Sequence, residues 1–427
     1  MLGNDRSHGL WELSAPPPPH TAQLTEELTC DVVVIGAGYT GLSAALHLVR
    51  GGVNVCVLEA HEIGFGASGR NSGLVNAGMW MMPDVLVATL GATYGKRLIN
   101  LLGEAPRDVF ALVAQYRMEC EADHRGTYHL AVGESGLSQL RERVAQWQRL
   151  GAKVELLDAD QTAKRTGALG YKGSIFDTRA GTIQPLAYAR GLARAALKEG
   201  AKIFTSSKVD SFERVGTEWS VKTELGRVRA NWLVVSTDAY SLGPTMLIRN
   251  EEVLLPYFQI STSPLSDNVR KSILPNGGGT WDTKTVLSGF RLDNAGRLIV
   301  GSVGALESTG VHIHRAWARR HIRRIFPQLD EVEFETEWYG KIGMTSDHLP
   351  RLHTFGPNSV GISGYNGRGI APGTVMGREI ANLIIGKTDL AGMPLPVSKV
   401  TIPAFRSVRE KYYEIGAQIA HLPIGRA

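Results

Sequence analysis

Gly36, Gly38 and Gly41 stand in the spacing Gly-x-Gly-x-x-Gly directly behind the apolar run Asp31-Val32-Val33-Val34-Ile35. A helical pattern follows from Leu42 to Arg50. A second apolar run covers Val53 to Leu58 and ends on Glu59, 18 residues after Gly41. Strand, glycine turn, helix, strand and acid in this order make the unit that holds a dinucleotide. Gly36 permits the tight turn, Gly38 lets backbone approach the pyrophosphate, and Gly41 lets helix and strand pack closely. The helix start offers unpaired N–H groups and a partial positive charge to the phosphates. Glu59 can accept hydrogen bonds from ribose hydroxyls, and its charge disfavours a 2′-phosphate. A glycine-rich turn that binds nothing would explain the three glycines alone, but not their flanking elements.

Two further loops carry groups able to do chemistry. Gly64-Phe65-Gly66-Ala67-Ser68-Gly69-Arg70-Asn71-Ser72-Gly73 follows the first unit. Gly364-Tyr365-Asn366-Gly367-Arg368-Gly369 separates the short strand Val360–Ser363 from a helix running through Met376 and Ile384. That arrangement again presents backbone N–H groups at a helix start. Between these loops, helical periodicity covers Val85 to Glu121, Ser138 to Leu150 and Leu186 to Glu199, the last with Pro185 at the favoured first position. Strands are expected at Thr127–Val132, Lys202–Val209, Trp219–Thr223 and Trp232–Asp238. Alternating runs at Leu255–Thr262, Val286–Leu292 and Leu298–Gly301 predict a sheet with one buried face. The pattern is of α/β class, with a nucleotide fold assembled from discontinuous pieces. Residues 1–29, with Pro16 to Pro19, read as an extended arm. Residues 30–80, 180–244 and 342–427 read as the nucleotide domain, and 81–179 and 245–341 as a substrate domain.

Composition narrows the class. At 427 residues the chain can hold two cored domains, and 43% hydrophobic with 20% charged residues is ordinary for a globular protein. No apolar run is long enough to cross a bilayer, and the start lacks a secretory signal, so a cytoplasmic protein is expected. Cys30, Cys56 and Cys120 are odd in number and lack metal-like spacing. His312-Ile313-His314 lacks a signalled third ligand and reads as an exposed strand edge or loop, so no metal is expected. The net charge of +5 is mild. Its densest cluster, Arg319 to Arg324, coincides with Trp317, Ile322, Ile325 and Phe326 at helical spacing, which points to an amphipathic helix rather than a nucleic-acid surface. The balance favours an anionic substrate by long-range steering.

These motifs, in this order, resemble the FAD-dependent D-amino-acid-oxidase-like oxidoreductases, a family that includes glycine, sarcosine and gamma-glutamylputrescine oxidoreductases. The likeness runs from about Cys30 to Gly386. It rests on the Gly36–Glu59 unit, Gly64–Gly73, Gly181–Pro185, Trp232–Asp238, Pro256–Leu265 and Gly364–Gly377. The Phe65–Asn71 loop is most similar to the gamma-glutamylputrescine branch. The resemblance implies a Rossmann-like FAD-binding domain of glutathione-reductase type beside a mixed, largely antiparallel substrate sheet. It places Gly36, Gly38, Tyr39, Thr40 and Gly41 at the pyrophosphate, and Glu59, Ala60 and Val209 at the adenosine. Ala67, Ser68, Arg70, Asn71, Ser72 and Thr237 would lie along the pyrophosphate and flavin, and Gly367, Arg368, Gly369 and Ile370 at the flavin ring. Family members that attach flavin covalently use a cysteine in the C-terminal half or a histidine near the second glycine loop. This chain has no cysteine after Cys120 and no histidine from Gly64 to Gly73, so dissociable FAD is expected.

The reaction implied is oxidation of a C–N bond in a small amine or amino acid, with a hydride passing to flavin N5 and the imine then hydrolysed. Secondary amines bearing a carboxylate, such as N-substituted, cyclic or iminodiacetate-like compounds, are the leading class. A gamma-glutamylated polyamine is the runner-up, and a non-catalytic flavoprotein subunit the reading of another kind. O2 or another acceptor would reoxidise the cofactor. One departure stands out. Glycine oxidase-type enzymes carry an arginine shortly after Trp-x-Gly, whereas Trp338-Tyr339-Gly340-Lys341-Ile342 has Ile342 there. Arg368 is the candidate for stabilising reduced flavin, anionic at N1, and Lys341, His348, Arg351 and Arg291 are the candidate replacements for the carboxylate-binding arginine. Arg291 reads equally as a strand charge and His348 as a loop histidine. Trp80, Met81 and Met82 could wall the substrate pocket or simply fill core.

Overall fold

The chain is described by a computed structural model that covers residues 8–329 and 331–423. Its first sheet is built around the β-branched run read above. Glu27–Ile35 lies between Arg227–Val235 and Val55–Leu58, both parallel, with Val34 opposite Val234 and Val57. Ser359–Ser363 and Lys202–Phe204 extend the parallel array on either side. Arg351–His353 closes one edge antiparallel, and Val209–Val215 and Glu218–Thr223 fold back onto Arg227–Val235 as a meander. Val32–Ile35, Val55–Leu58 and Ser359–Ser363 are buried along their lengths, which is why they read as unbroken apolar runs. Helices Tyr39–Arg50, Pro185–Lys198 and Ile370–Ile384 cover this sheet. The first and third cross closely because Gly377 has no side chain: a Cβ there would sit 2.5 Å from the Thr40 carbonyl oxygen.

The second sheet has eight strands in the order Phe334–Met344, Val253–Pro264, Arg297–Val303, Ser288–Leu292, Gly279–Asp282, Thr127–Leu130, Gly173–Asp177 and Val154–Asp158. All neighbours are antiparallel except Gly279–Asp282 beside Thr127–Leu130. Helix Thr309–Ile325 packs Ile322 and Ile325 with Phe290, Leu298 and Val300 in the core of this sheet. It therefore contains His314, which is buried in a helix rather than exposed on a strand edge or loop. The basic cluster lies on the same helix, and Arg320 donates to the His421 carbonyl.

The N-terminal segment departs from an extended arm. Leu10–Ser14 is a short helix whose Leu10 and Trp11 are fully buried. Trp11 meets Trp338 edge to face at 5.3 Å and donates from Nε1 to the Asn71 carbonyl. Two large apolar side chains outweigh the proline run behind them, since burying each is worth about 2–3 kcal/mol. Regular strand then begins at Glu27, three residues before Cys30. The parts of the expected arm and nucleotide domain at residues 1–7 and 424–427 lie outside the described residues.

Candidate functional site

A cavity of about 690 Å³ runs between the two sheets. The first sheet meets it where its parallel strands end: Ile35–Gly36, Leu58–Glu59, Ser236–Thr237 and Tyr365 all line it. Open α/β sheets bind ligands at these carboxyl ends, where backbone amides are released. The second sheet supplies Leu255, Tyr257, Trp281, Val303 and Gly340–Met344.

At the first-sheet end the geometry is set by backbone. Gly36 has φ +105°, a conformation that disfavours side chains, and a Cβ would lie 2.9 Å from the Ser236 carbonyl oxygen. Gly38 caps helix Tyr39–Arg50 without any side-chain cap, so the helix start faces the cavity through main chain. Gly41 does not line the cavity. Its Cβ would fall 2.1 Å from the Gly36 carbonyl oxygen, so its place is the contact of helix on turn. Glu59 accepts from the backbone N–H of Ala37 at 2.8 Å and of His61 at 3.0 Å, while burial pushes its carboxyl pKa up.

The second loop is braced from behind. The Asn71 side chain donates to Tyr39 Oη, Ala67 O and Ser68 O and accepts from Gly73 N–H, so it shapes the loop. The Arg70 carbonyl receives Gln259 Nε2 at 2.7 Å and Trp338 Nε1 at 3.1 Å, tying the loop to the second sheet. Arg70 Nε donates to the Phe65 carbonyl, and its guanidinium lies 5.1 Å from the Phe65 ring. The third loop is held by a pair of buried acids. Asp238 and Glu252 both accept from Gly364 N–H, at 2.7 and 2.9 Å. Burial and the neighbouring Asp238 charge push Glu252 well above the usual carboxylate range, so it stays protonated beside Asp238.

The far end is built from side chains of distant segments. Arg368 is buried, with its guanidinium 4.8 Å from the Trp80 ring and 4.6 Å from the Trp281 ring. Nη1 donates to the Ala77 carbonyl, and Nε has no hydrogen-bond partner. Among the described residues no carboxylate bonds it. Desolvation, with Arg143 adding repulsion, pulls its pKa down to about 9. Arg143 donates to the carbonyls of Met79 and Trp80, and burial lowers its pKa to about 10. His129 stacks on Trp281 at 3.3 Å, and burial together with both arginines holds it neutral.

The other expected residues divide. Tyr39, Thr40, Ala60, Ala67, Ser68, Ser72, Val209, Thr237, Gly367, Gly369 and Ile370 line the cavity, as do Lys341, His348 and Trp80. Lys341 and His348 are exposed at its edge. Arg291 is turned away. It donates to the Ile183 carbonyl at 2.5 Å and lies 5.4 Å from the Trp11 ring, so it buttresses the N-terminal plug rather than a ligand. Arg351 is paired with Asp347 and Glu251, and Met81 and Met82 do not reach the cavity. Ile342 lines it where the expected arginine is missing. Arg143, His129, Trp281, Asp238 and Glu252 escaped the sequence reading. Only the polar residues interrupting apolar strand or helix faces could have flagged them.

Residues 31–383 match the family model DAO, FAD dependent oxidoreductase. The chain belongs to this family. It is 30% identical over 400 residues to gamma-glutamylputrescine oxidoreductase of Escherichia coli K12, covering 92% of each chain. It is 23% identical over 391 residues to glycine oxidase of Bacillus licheniformis, covering 89% of this chain and 98% of that one. The fold matches the crystal structure of glycine oxidase from Geobacillus kaustophilus with a TM-score of 0.72 at 18% identity, over 87% of this chain and 99% of that one. The DAO chain is thus an FAD-dependent oxidoreductase acting on amines or amino acids. The cavity suits its cofactor: a glycine turn closed to any Cβ at one end, and room between two sheets for an extended dinucleotide.

Proposed function

We propose that this DAO-family enzyme oxidises a secondary amine that carries a carboxylate, with FAD lying along the cavity. The reading assigns Gly36, Gly38, Tyr39 and Thr40 to the pyrophosphate, Glu59, Ala60 and Val209 to the adenosine, and Gly367, Gly369 and Ile370 to the flavin. Ala67 to Ser72 and Thr237 lie between. When bound, FAD accepts the hydride from the carbon next to nitrogen.

The observation that carries the reading is Arg368, a buried cation facing the cavity with an unpaired Nε and no bonded acid. A buried charge without a counter-ion is costly, and a substrate carboxylate would relieve it through charge-assisted hydrogen bonds. Trp80 and Trp281 hold the guanidinium in place, and Arg143 behind it deepens the positive field. The same field disfavours an ammonium, so the substrate nitrogen is held neutral with its lone pair available. Tyr257 and Trp281 give this end of the cavity an aromatic lining. No side chain is then needed to remove a proton from nitrogen during the reaction.

A gamma-glutamylated polyamine is the second reading, favoured by the 30% identity to the Escherichia coli enzyme over nearly the whole chain. Its glutamyl carboxylate would meet Arg368 equally well.

Anaerobic bleaching of the flavin with matched pairs tests the proposal. Proline against pyrrolidine and N-methylglycine against dimethylamine differ only in the carboxylate. We expect bleaching by the acids alone, and equal rates for both members of each pair would end the reading. Gamma-glutamylputrescine belongs in the same panel, and oxygen uptake with any bleaching compound decides between O2 and another acceptor. Acid precipitation should release the flavin into solution.

A further inference from the structure

The C-terminal helix Arg406–His421 lies on the protein the wrong way round. Its inward face is polar. Arg406 Nη1 donates to Asn250 Oδ1 at 2.9 Å, and Glu410 accepts from Leu254 N–H at 3.1 Å and pairs with Arg249. Gln418 accepts from Thr309 Oγ1 at 3.1 Å. His421 is buried against Trp317, contacts His314 Nδ1 at 2.8 Å and lies 3.2 Å from Ser302 Oγ. Of its residues only Ala417 and His421 are buried.

Its outward face is apolar. Phe405 is 80% exposed, Val408 63%, Tyr412 72%, Ile415 54%, Ile419 57% and Leu422 39%. A surface helix normally turns such a stripe to the core. Here hydrogen bonds hold the helix by its other side, which leaves the stripe to a partner.

We infer that this stripe pairs with the same stripe of a second copy of the chain. The spacing argues for a helix as the partner. Within the helix Val408, Tyr412, Ile415 and Ile419 follow steps of 4, 3 and 4, the a/d seam of a two-helix coiled coil, and Phe405 and Leu422 flank it just outside the helix at either end. A membrane surface would accept any broad apolar arc and imposes no such repeat. The seam also complements itself about a two-fold axis between Tyr412 and Ile415. Antiparallel pairing sets Tyr412 against Ile415 and Val408 against Ile419, so the aromatic meets an aliphatic, and brings the flanking Phe405 and Leu422 to the ends of the contact. Parallel pairing would crowd Tyr on Tyr and Phe on Phe. An isologous contact of this kind closes on itself without forming filaments.

The test is sedimentation equilibrium of the full-length holoenzyme across a dilution series. We expect twice the 46.3 kDa chain mass for the wild type. Ile415→Asp and Tyr412→Asp should each give monomers with unchanged flavin content and far-UV circular dichroism, because neither touches the hydrogen-bonded face. A wild type monomeric at every concentration overturns the inference, as does a dimer that survives both substitutions. Co-sedimentation of a monomeric wild type with phosphatidylglycerol vesicles would overturn it in favour of a membrane surface.

Discussion

The two ends of the cavity are made differently. At the first-sheet end a ligand would meet main chain: a positive-φ glycine, an uncapped helix start and loops whose side chains mostly brace one another. At the other end it would meet Arg368, Trp80, Trp281 and Tyr257, brought together from segments up to 288 positions apart. Backbone sites suit a group that is the same in every catalytic cycle. Side-chain sites can change from one relative to another without disturbing the strands beneath them. Ile342 and the buried pair Arg368 and Arg143 belong to the second end, and the closely packed glycines to the first.

If this contrast is sound, damage at the first end should abolish the holoenzyme and damage at the second should spare it. The largest effect is expected from Gly41→Val. A Cβ 2.1 Å from the Gly36 carbonyl oxygen leaves neither helix nor turn room to yield, so several kcal/mol of stability, about 3 or more, should be lost. The purified variant should be colourless, with a lower melting temperature. A yellow protein of normal stability would show that the turn tolerates what the geometry forbids. Next comes Arg368→Met, which keeps the bulk packed against both tryptophans and removes the charge. Flavin content should stay normal, while kcat/KM for a carboxylated amine falls roughly 100-fold, about 3 kcal/mol, the upper range for hydrogen bonds to a charged group. Loss confined to kcat, with KM unchanged, would place Arg368 at the flavin rather than at the carboxylate.

The same contrast explains what could be read in the sequence. Gly36, Gly38, Gly41 and Glu59 are local: their spacing is their geometry, so strand, turn and helix followed directly. The parallel strands showed as apolar runs because both faces are covered. Arg291 and Arg368 look alike in sequence, each a lone arginine near glycines, yet one props Trp11 and the other faces the cavity. Only the tertiary path of the N-terminal segment separates them, and prolines 16 to 19 disguised that segment as an arm. The Phe334–Met344 strand was legible only as a motif, and helix Arg406–His421 escaped notice because its apolar stripe has no matching core contact within the chain.

Buried histidines give the next largest effect, and it lies outside the cavity contrast as a control. His8 is fully buried, and desolvation with the nearby Arg70 lowers its pKa to about 4. The folded state therefore resists the proton that the unfolded chain takes up near pH 6.5. The stability this group contributes is complete above pH 6.5 and declines as pH falls toward 4. At pH 5 the loss should reach about 2 kcal/mol. His314 and His421, lowered to about 4 and 3 mainly by burial, act in the same direction. Thermal melts of the wild type should fall steeply between pH 6.5 and 4.5, and His8→Gln should flatten that fall. An unaltered slope would mean that His8 takes up its proton in the folded protein.

Lys341 should give the smallest effect, and it separates buried from exposed charge at the substrate end. Its backbone N–H donates to Tyr240 Oη at 2.9 Å, while its side chain is exposed at the edge of the cavity. An exposed charge of this kind acts through solvent and is screened over about 10 Å at 0.1 M salt. Lys341→Ala should therefore lower kcat/KM about twofold at low ionic strength, through slower encounter with an anion, and the difference should vanish at high salt. Arg368→Met should show a much weaker dependence, because a buried guanidinium acts by direct contact with the carboxylate rather than through solvent. If Lys341→Ala instead costs as much as Arg368→Met, and does so at every salt concentration, the carboxylate is bound at the edge. The missing arginine at Ile342 would then have been replaced by its neighbour in sequence rather than by a residue from across the fold.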